Sequence, residues 1–257
     1  MSIGQSDAFT SSDASQESQY ALPYHYICSL EDGHFRQHLY WSWGFRYLGA
    51  LDLVLSILAE EPFGSLADIG CGDGRFLREV DRRFPKKTLL GIDYSARAIN
   101  LARAMNPGIT YECVDICGEK TVKQLSDVVT LIEVLEHIPP DEVGNFVSAI
   151  GGYQKSGDRL VLTVPHENVP LQTKHYQHFN SNTLMKVLEP HYRVEQMLFL
   201  DKRSLVFACI AGHLIGNRLF VLNNTFLLDL FYRAYRKWFF LCREAKCGRI
   251  CVKARRK

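Results

Sequence analysis

The fold is decided by one stretch, Ser65 to Asp93, which reads SLADIGCGDGRFLREVDRRFPKKTLLGID. An apolar run of strand type, Leu66 to Ile69, ends in a turn with three glycines, and a segment with helical spacing of apolar side chains follows it. A second apolar run then ends on Asp93. This pattern predicts a strand, a glycine turn, a helix and a second parallel strand, which is the β-α-β unit of nucleotide-binding folds.

The glycine turn, residues 70–74 (GCGDG), is the first part of a predicted ligand site. Glycine accepts positive φ angles and lets a ligand lie against the backbone, and the N–H groups that open the next helix face that ligand. Asp93 lies 19 residues beyond Gly74, at the end of the second strand, where a carboxylate can accept hydrogen bonds from both hydroxyls of a ribose. The spacing therefore predicts a nucleoside-containing ligand.

Four motifs in this region resemble the class I S-adenosylmethionine-dependent methyltransferases. They are DIGCGDG (Asp68 to Gly74), GIDYS (Gly91 to Ser95), an acid after the third strand (Asp115) and EVLEHIPP (Glu133 to Pro140). The resemblance covers roughly residues 66–210 and implies that S-adenosyl-L-methionine is the methyl donor. A dinucleotide dehydrogenase is the competing interpretation, but such enzymes usually show Gly-x-Gly-x-x-Gly, and the spacing here is shorter.

The resemblance also implies a set of donor-binding residues. In that family the glycine turn lies against the methionine portion of the donor, the acid after the second strand binds the ribose, and the acid after the third strand lies near the adenine amine. Carried over to this chain, the donor-binding residues are Asp68, Gly70, Cys71, Gly72, Gly74, Asp93, Tyr94, Asp115, Ile116 and Glu133.

The remaining chain extends this unit. Predicted strands at 109–114, 127–132 and 159–164 alternate with helical segments, and residues 192–200 and 204–211 read as a final antiparallel hairpin. We therefore expect an α/β, doubly wound, mostly parallel seven-stranded sheet of Rossmann-like class I methyltransferase type, with its ligand beyond the carboxyl ends of the strands. A helical N-terminal cap and a C-terminal helical extension complete the predicted fold.

We divide the chain into four segments. Residues 1–19 are a predicted disordered tail, 20–64 an aromatic N-terminal cap segment, 65–211 the methyltransferase domain, and 212–257 a basic amphipathic C-terminal extension. The cap segment is expected to pack on the core and to shape the acceptor pocket. Its candidate pocket residues are His25, His34, His38, Tyr40, Trp41 and Trp43.

Composition limits the class of protein. The 257 residues are 47% hydrophobic and 23% charged, which suits one globular core. We find no secretory signal or transit peptide, and none of the eight cysteines forms a CxxC pair, so we expect a cytoplasmic protein rather than a secreted or zinc-binding one. The net charge of +2 is uneven, because residues 231–257 carry ten Lys and Arg against one acid.

Four histidines are candidate catalytic bases. In-line methyl transfer depends mainly on positioning, but transfer to a hydroxyl gains about 10²–10⁴-fold from a base that removes its proton, and imidazole suits that role at neutral pH. His137 follows the fourth strand of the predicted sheet, whereas His166, His175 and His178 lie in the long polar loop after the fifth. For any single histidine, a hydrogen bond within a loop is the alternative role.

A metal site is a second interpretation of the same region. Glu133, Glu136 and His137 form the pattern E-x-x-E-H, and His178 could approach from the later loop, which would suit Mg²⁺ or Mn²⁺. The pattern resembles small-RNA 2′-O-methyltransferases, in which two Glu and two His bind a metal that engages the terminal ribose hydroxyls, and ubiquinone-pathway O-methyltransferases. It is equally similar to methyltransferases that use no metal, so both alternatives stay open.

The expected acceptor is a hydroxyl on a sugar, a glycan precursor or another small metabolite. The loop HENVPLQTKHYQHF (166–179) is similar to bacterial-type methyltransferases of such compounds. RNA recognition would need Lys and Arg around the crevice, and here they gather in the C-terminal tail instead, so we do not expect a nucleic-acid partner. A donor-binding scaffold without catalysis is the non-enzyme alternative, since fold alone does not establish activity.

The stretch FLLDLFYRAYRKWFFL (226–241) predicts an amphipathic helix with basic residues on one stripe. It could lie at a membrane surface, with the basic tail attracted to anionic lipid. Packing on the domain or across a homodimer is the alternative. Charges interrupt every long apolar run, so the stretch is not expected to span a bilayer.

Overall fold

The structure is a computed structural model that describes residues 29–31, 34–36, 41–118, 124–217, 219–222 and 224–257. The predicted disordered tail and the pocket candidates His25, His38 and Tyr40 lie outside the described residues, and so do the side chains of His34, Trp41 and Trp43. The described strands are β1 Ser29–Glu31, β2 His34–Arg36, β3 Ser65–Ile69, β4 Thr88–Asp93, β5 Thr110–Cys113, β6 Val128–Ile132, β7 Arg159–Pro165, β8 Tyr192–Leu200 and β9 Arg249–Arg256. The described α-helices are α1 Trp41–Ala59, α2 Arg75–Arg83, α3 Ala96–Met105, α4 Val143–Ile150, α5 Ser181–Leu188, α6 Leu205–Ile210 and α7 Thr225–Tyr235.

Seven of these strands form one sheet in the order β5-β4-β3-β6-β7-β9-β8, and β1 and β2 pair separately. The first five strands of the sheet are parallel, and β9 runs antiparallel to both of its neighbours. The predicted seven-stranded, mostly parallel sheet is therefore confirmed. Because β8 runs in the same direction as β7, the ends of β3, β4, β5, β6, β7 and β8 and the start of β9 meet at one edge, which we call the carboxyl edge.

Two apolar clusters, one on each face of the sheet, hold the helices. Successive strand residues enter different clusters: Leu66 packs with α1, α2 and α3, and Ala67 packs with α4 and α5. Burial on both faces explains why the parallel strands read as continuous apolar runs. The helix caps follow the sequence, since the Ser95 side chain accepts a hydrogen bond from the Ala98 N–H and Asn180 forms a capping box at the start of α5.

The predicted hairpin at 192–200 and 204–211 is wrong in its second strand. Residues 205–210 form helix α6, and the Ser204 hydroxyl caps it by accepting from the Phe207 N–H at 3.3 Å. The seventh strand is β9, from the end of the chain, which inserts between β7 and β8. The predicted C-terminal extension, 212–257, is therefore only partly outside the domain, because its last strand, β9, is part of the sheet.

Much of the basic tail is neutralised by acids of the domain, which the sequence did not predict. Lys253 in β9 pairs with Glu60 and Glu61 at 2.9 and 3.0 Å. Arg255 pairs with Glu61 and Glu195 at 2.6 and 3.1 Å. These basic side chains therefore fix β9 against the rest of the fold.

The helical segment 205–241 connects β8 to β9 at the carboxyl edge, so it lies on the side of the sheet where ligands bind. Its inner side is anchored by polar contacts. The Tyr235 hydroxyl donates to Asp201, and the Arg236 guanidinium donates to the Gly49 carbonyl at 2.7 Å and to Asp52 at 3.0 Å. Among the described residues, no helix combines the length and apolar character needed to cross a bilayer.

Candidate active site

The glycine turn has the backbone that its composition predicts. Gly70, Gly72 and Gly74 have φ angles of +73°, +54° and +74°, which favour glycine. Gly74 precedes α2 without a side-chain cap of its own, and the Arg75 N–H that opens the helix donates to the Asp73 carboxylate at 3.1 Å. A Cβ on Gly70 would lie 2.6 Å from Val134, so the turn packs directly against the segment that follows β6. The residues therefore fit the methionine portion of a donor.

Asp93 holds the turn in place. Its Oδ2 accepts from the Gly72 N–H at 2.9 Å and its Oδ1 from the Ser95 N–H at 2.9 Å. Asp93 thus fixes the turn, a role that the sequence did not predict, and its contact with the ribose stays a prediction.

Two other predicted donor residues are buried, Asp68 in β3 and Cys71 within the turn itself. Asp68 accepts from the Thr130 hydroxyl at 2.6 Å, and burial, despite that bond, raises the pKa of its carboxyl to about 7. Burial and the neighbouring acids also raise the pKa of the Cys71 thiol, which keeps it protonated. These two side chains support the turn.

The adenine side is more open. Asp115 is exposed and its carboxylate accepts from the Cys117 N–H at 2.9 Å, while Ile116 is buried and Tyr94 is 45% exposed. An exposed acid, a buried aliphatic group and an exposed ring beside the end of β4 suit one purine. The roles of Asp115, Ile116 and Tyr94 remain proposals.

Glu133 is held by an arginine that the sequence analysis counted only as part of the basic tail. It has a φ of +59°, unusual for a residue with a side chain, and its N–H donates to the Thr163 carbonyl at 3.0 Å. The Arg249 guanidinium donates to both Glu133 oxygens at 3.0 and 3.4 Å and pairs with Asp201 at 3.0 Å. Burial opposes the charge of Arg249, but the two carboxylates outweigh it and raise the pKa of the guanidinium.

The loop after β7 is fastened to the turn after β6 by three hydrogen bonds. The Tyr176 N–H donates to the Glu136 carbonyl at 2.8 Å, the Gln177 amide to the Ile138 carbonyl at 3.0 Å, and His137 Nδ1 to the Lys174 carbonyl at 2.9 Å. Because of these bonds, residues far apart in sequence meet at the carboxyl edge. We call Glu136, His137, His175 and His178 the histidine cluster.

The hydrogen bonds assign the tautomers of the cluster. His178 Nδ1 lies 3.0 Å from the Val169 carbonyl, so Nδ1 carries the proton and Nε2 is an acceptor. His175 Nδ1 lies 2.7 Å from that Nε2, so it donates, and His175 Nε2 is unprotonated. The bond to the Lys174 carbonyl likewise leaves His137 Nε2 unprotonated. The cluster thus contains two imidazoles whose Nε2 lone pairs are available for a proton or a cation.

Burial keeps these rings neutral. It lowers the pKa of His137 to about 4, and burial, with the cationic Lys174 nearby, lowers that of His175 to about 3. The rings lie close together, with centroids of His137 and His175 4.9 Å apart and those of His175 and His178 5.0 Å apart. Both rings are therefore neutral, with an unprotonated Nε2, which is the form that a base or a metal ligand requires.

Glu136 is fully buried beside these rings. Within the described residues, no hydrogen-bond partner reaches either of its carboxylate oxygens. Burial, with the nearby charge of Glu133, raises the pKa of this carboxyl well above its usual range. One ligand atom from each of Glu136, His137 and His175 lies within 4.8 Å of the others, a spacing that can hold a cation.

This differs from the predicted metal set. Glu136 and His137 are brought together as expected, but the third residue of the group with this spacing is His175. His178 supports His175 from behind, and Glu133 is paired with Arg249. Two imidazoles and one carboxylate suit Zn²⁺, Fe²⁺ or Mn²⁺ better than Mg²⁺, which prefers oxygen ligands.

His166 is not part of the cluster. Its Nδ1 accepts from the Asn168 N–H at 3.0 Å and its Nε2 lies 3.4 Å from Glu244, and the side chain is 3% exposed. Both ring nitrogens are thus occupied in fixing the loop after β7. The structure gives His166 a structural position, in contrast to His137 and His175, whereas both ring nitrogens of His178 are also hydrogen-bonded.

Known proteins share this architecture. A protein family described as a methyltransferase domain matches residues 40–203. The ubiquinone biosynthesis O-methyltransferase of Pectobacterium atrosepticum is 31% identical over 120 residues, 44% of this chain and 48% of the relative. The trans-aconitate 2-methyltransferase of Deinococcus radiodurans is 36% identical over 62 residues, 24% of each chain. The matched regions thus span half or less of these curated relatives.

Solved structures agree on the fold. The N-methyltransferase NodS from Bradyrhizobium japonicum WM9, in complex with S-adenosyl-L-homocysteine, superposes with a TM-score of 0.55 at 17% identity, over 82% of this chain and 86% of that one. The [4+2]-cyclase SpnF superposes with a TM-score of 0.58 at 18% identity, over 96% and 97%. Because the family match covers more than half of the chain, the protein belongs to the class I S-adenosylmethionine-dependent methyltransferases.

Proposed function

We propose that the protein transfers a methyl group from S-adenosyl-L-methionine to a hydroxyl of a sugar, a glycan precursor or another small metabolite. The observation that carries this proposal is the histidine cluster. Two neutral imidazoles stand at the carboxyl edge: His137 follows β6 on the segment whose Val134 packs against the glycine turn, and His175 lies in the loop after β7 that is hydrogen-bonded to this segment. A neutral imidazole beside a donor site is what O-methylation uses to remove the hydroxyl proton.

The residues of this chain have separate tasks in the proposed reaction. The bound donor supplies an electrophilic methyl group on a sulfonium. The glycine turn and Asp93 fix the donor, and the loops after β6 and β7 bring the acceptor hydroxyl behind that methyl group, which is the positioning that in-line transfer depends on. The acceptor proton then passes to an imidazole of the histidine cluster.

His175 is the base that the hydrogen bonds favour. When its Nε2 takes the acceptor proton, its Nδ1–H becomes a charge-assisted donor to His178 Nε2, 2.7 Å away. His178 is in turn fixed by the Val169 carbonyl. His178 is thus a positioning residue that sets the tautomer of His175 and stabilises its protonated form.

Replacement of Asp93 by alanine tests the donor site. The variant loses the acceptor for the ribose and also both bonds that fix the turn, so S-adenosyl-L-methionine should bind about 1–3 kcal/mol more weakly by calorimetry. Asp81→Ala, an exposed acid in α2, is the control and should leave the affinity unchanged. Unchanged affinity in Asp93→Ala would mean that the ribose assignment is wrong.

A metal-assisted O-methyltransferase is the second candidate function, and buried, unpartnered Glu136 favours it. A cation held by Glu136, His137 and His175 would bind acceptor oxygens as a Lewis acid. Acceptors with neighbouring hydroxyls, such as catechol-like compounds or an RNA 3′ end, would then be the first acceptors to test. In this alternative the same Nε2 lone pairs serve as ligands rather than as a base.

Glu136→Gln separates the two candidates. If a metal binds, chelated protein titrated with Mn²⁺ or Zn²⁺ should show one site, and the variant should bind at least about tenfold more weakly, because a charged ligand is replaced by a neutral amide. Glu142→Gln, an exposed acid nearby, is the matched control. Donor turnover that continues after chelation, with no metal heat, would leave the metal-free base mechanism.

A further inference from the structure

We propose that the helical segment 205–241 docks the protein on an anionic lipid surface. The inference uses no residue of the histidine cluster and does not depend on which acceptor is methylated. Three features of the described residues carry it: the exposed apolar side chains, an apolar cleft and the excess of positive charge.

The exposed apolar side chains are concentrated in this segment. Ten of the fifteen large apolar residues that are exposed in the described structure lie between residues 205 and 241. Leu219 is 95% exposed, Leu205 90% and Phe226 76%, whereas the fold itself uses inner residues such as Phe207 and Tyr235, which are buried. The outer side chains thus do not pack in the core, and exposed apolar groups at this density indicate an interaction surface.

An open cleft of about 560 Å³ lies between α6 and α7. Its apolar lining includes Ile210 from α6 and Leu230 and Trp238 from the α7 region, and Arg233 and Lys237 stand beside it. Trp238 is 59% exposed, with the Lys237 ammonium 5.6 Å from its ring centroid. A tryptophan next to cationic side chains is typical of the membrane–water interface.

The positive charge around the segment favours an anionic lipid surface as its partner. Between residues 202 and 246 the chain has eight Lys and Arg against two acids. Of the acids, Asp229 pairs with Arg233 at 2.8 Å, and Glu244 is engaged by Ser181 and His166. Arg203, Lys237, Arg243 and Lys246 are exposed around the apolar surface. Positive charge around apolar groups complements anionic headgroups above acyl chains, whereas two copies of this face would repel each other.

The position of the segment determines which edge of the protein would face the lipid. Because 205–241 joins β8 to β9 at the carboxyl edge, it lies at the same edge as the donor and acceptor crevice. A protein bound through this segment would hold the carboxyl edge near the lipid surface. The absence of a helix able to span a bilayer, among the described residues, suits contact with the surface rather than insertion.

Vesicle flotation of the full chain tests the proposal. We expect binding to phosphatidylcholine vesicles that contain phosphatidylglycerol, little binding to phosphatidylcholine alone, and loss of binding at high salt. Leu219→Ser with Phe226→Ser should abolish flotation, and Lys237→Glu with Arg243→Glu should reduce it by about fivefold for each positive charge removed. The controls Leu125→Ser and Lys186→Glu, exposed residues outside the segment, should float like the unaltered protein.

Three outcomes would overturn the proposal. The first is no flotation with anionic vesicles at low salt. The second is equal flotation of the segment variants and the controls. The third is a stable dimer by analytical ultracentrifugation that Leu219→Ser with Phe226→Ser dissociates, because a second copy would then cover this face. Circular dichroism of each variant keeps a folding defect apart from a loss of binding, and any misfolded variant is replaced by Leu205→Ser, which changes a side chain that is 90% exposed.

Discussion

Replacing Arg249 by methionine is expected to destabilise the protein by about 3–5 kcal/mol, the cost of breaking a buried ion pair by removal of one partner. The Arg249 side chain is 12% exposed and its partner Asp201 6%, so methionine would leave Asp201 and Glu133 without their cation. Urea unfolding at neutral pH measures the loss. Donor affinity should also fall, since Glu133 would lose the contact that fixes it behind the donor crevice.

Lys253→Met is the matched control. Lys253 lies on the same strand and is also 12% exposed, but its partners Glu60 and Glu61 are 48% and 35% exposed. Water can solvate those carboxylates after the change, so we expect a loss of no more than about 1 kcal/mol. Equal destabilisation by the two substitutions would contradict the view that the buried ion pairs of Arg249 contribute more to stability than the more exposed pairs of Lys253.

His175→Ala is expected to lower the rate of methyl transfer by about 10²–10⁴-fold, the range for loss of a general base. Donor affinity should change little, because the loss is in proton transfer. The assay is the formation of S-adenosyl-L-homocysteine with a hydroxylated acceptor found by screening. His178→Ala should act through His175, with a lower turnover rate and nearly the same KM, while His191→Gln, outside the cluster, should behave like the unaltered enzyme.

The assignment of His175 as the base also predicts how turnover depends on pH. A base works in its unprotonated form, and the pKa of His175 is lowered to about 3 by burial and by the nearby positive charge of Lys174. Turnover should therefore stay level from neutral pH down to about pH 5, whereas an imidazole with an ordinary pKa of about 6.5 would lose activity over that range. A decline centred near pH 6.5 would contradict the assignment, and equal turnover of His175→Ala would exclude His175 as the base.

The donor half of the site could be predicted from sequence because it rests on local rules. Positive φ angles at the three glycines and the position of Asp93 follow from residues within one β-α-β unit. The cap of α3 by Ser95 is equally local. The sequence could not indicate that Asp93 also fixes the turn. An aspartate at this position is the same in sequence whether or not its carboxylate also accepts hydrogen bonds from the turn.

The acceptor half depends on contacts between distant segments. The place of His175 rather than Glu133 in the cluster is decided by hydrogen bonds between the loop after β7 and the turn after β6. The wrong strand at 204–211 has a similar cause. Its short apolar run suits a strand or a buried helix, and the Ser204 cap was the signal for a helix. The true seventh strand was hidden because β9 carries several basic residues, whose acidic partners lie elsewhere in the chain.

Binding of S-adenosyl-L-methionine to the full chain, measured by isothermal titration calorimetry after chelation of metals, tests the central claim most directly. We predict saturable binding at one site, competition by S-adenosyl-L-homocysteine, and weaker binding in Asp93→Ala. Folded protein that gives no heat with the donor, and none with S-adenosyl-L-homocysteine, would contradict the account.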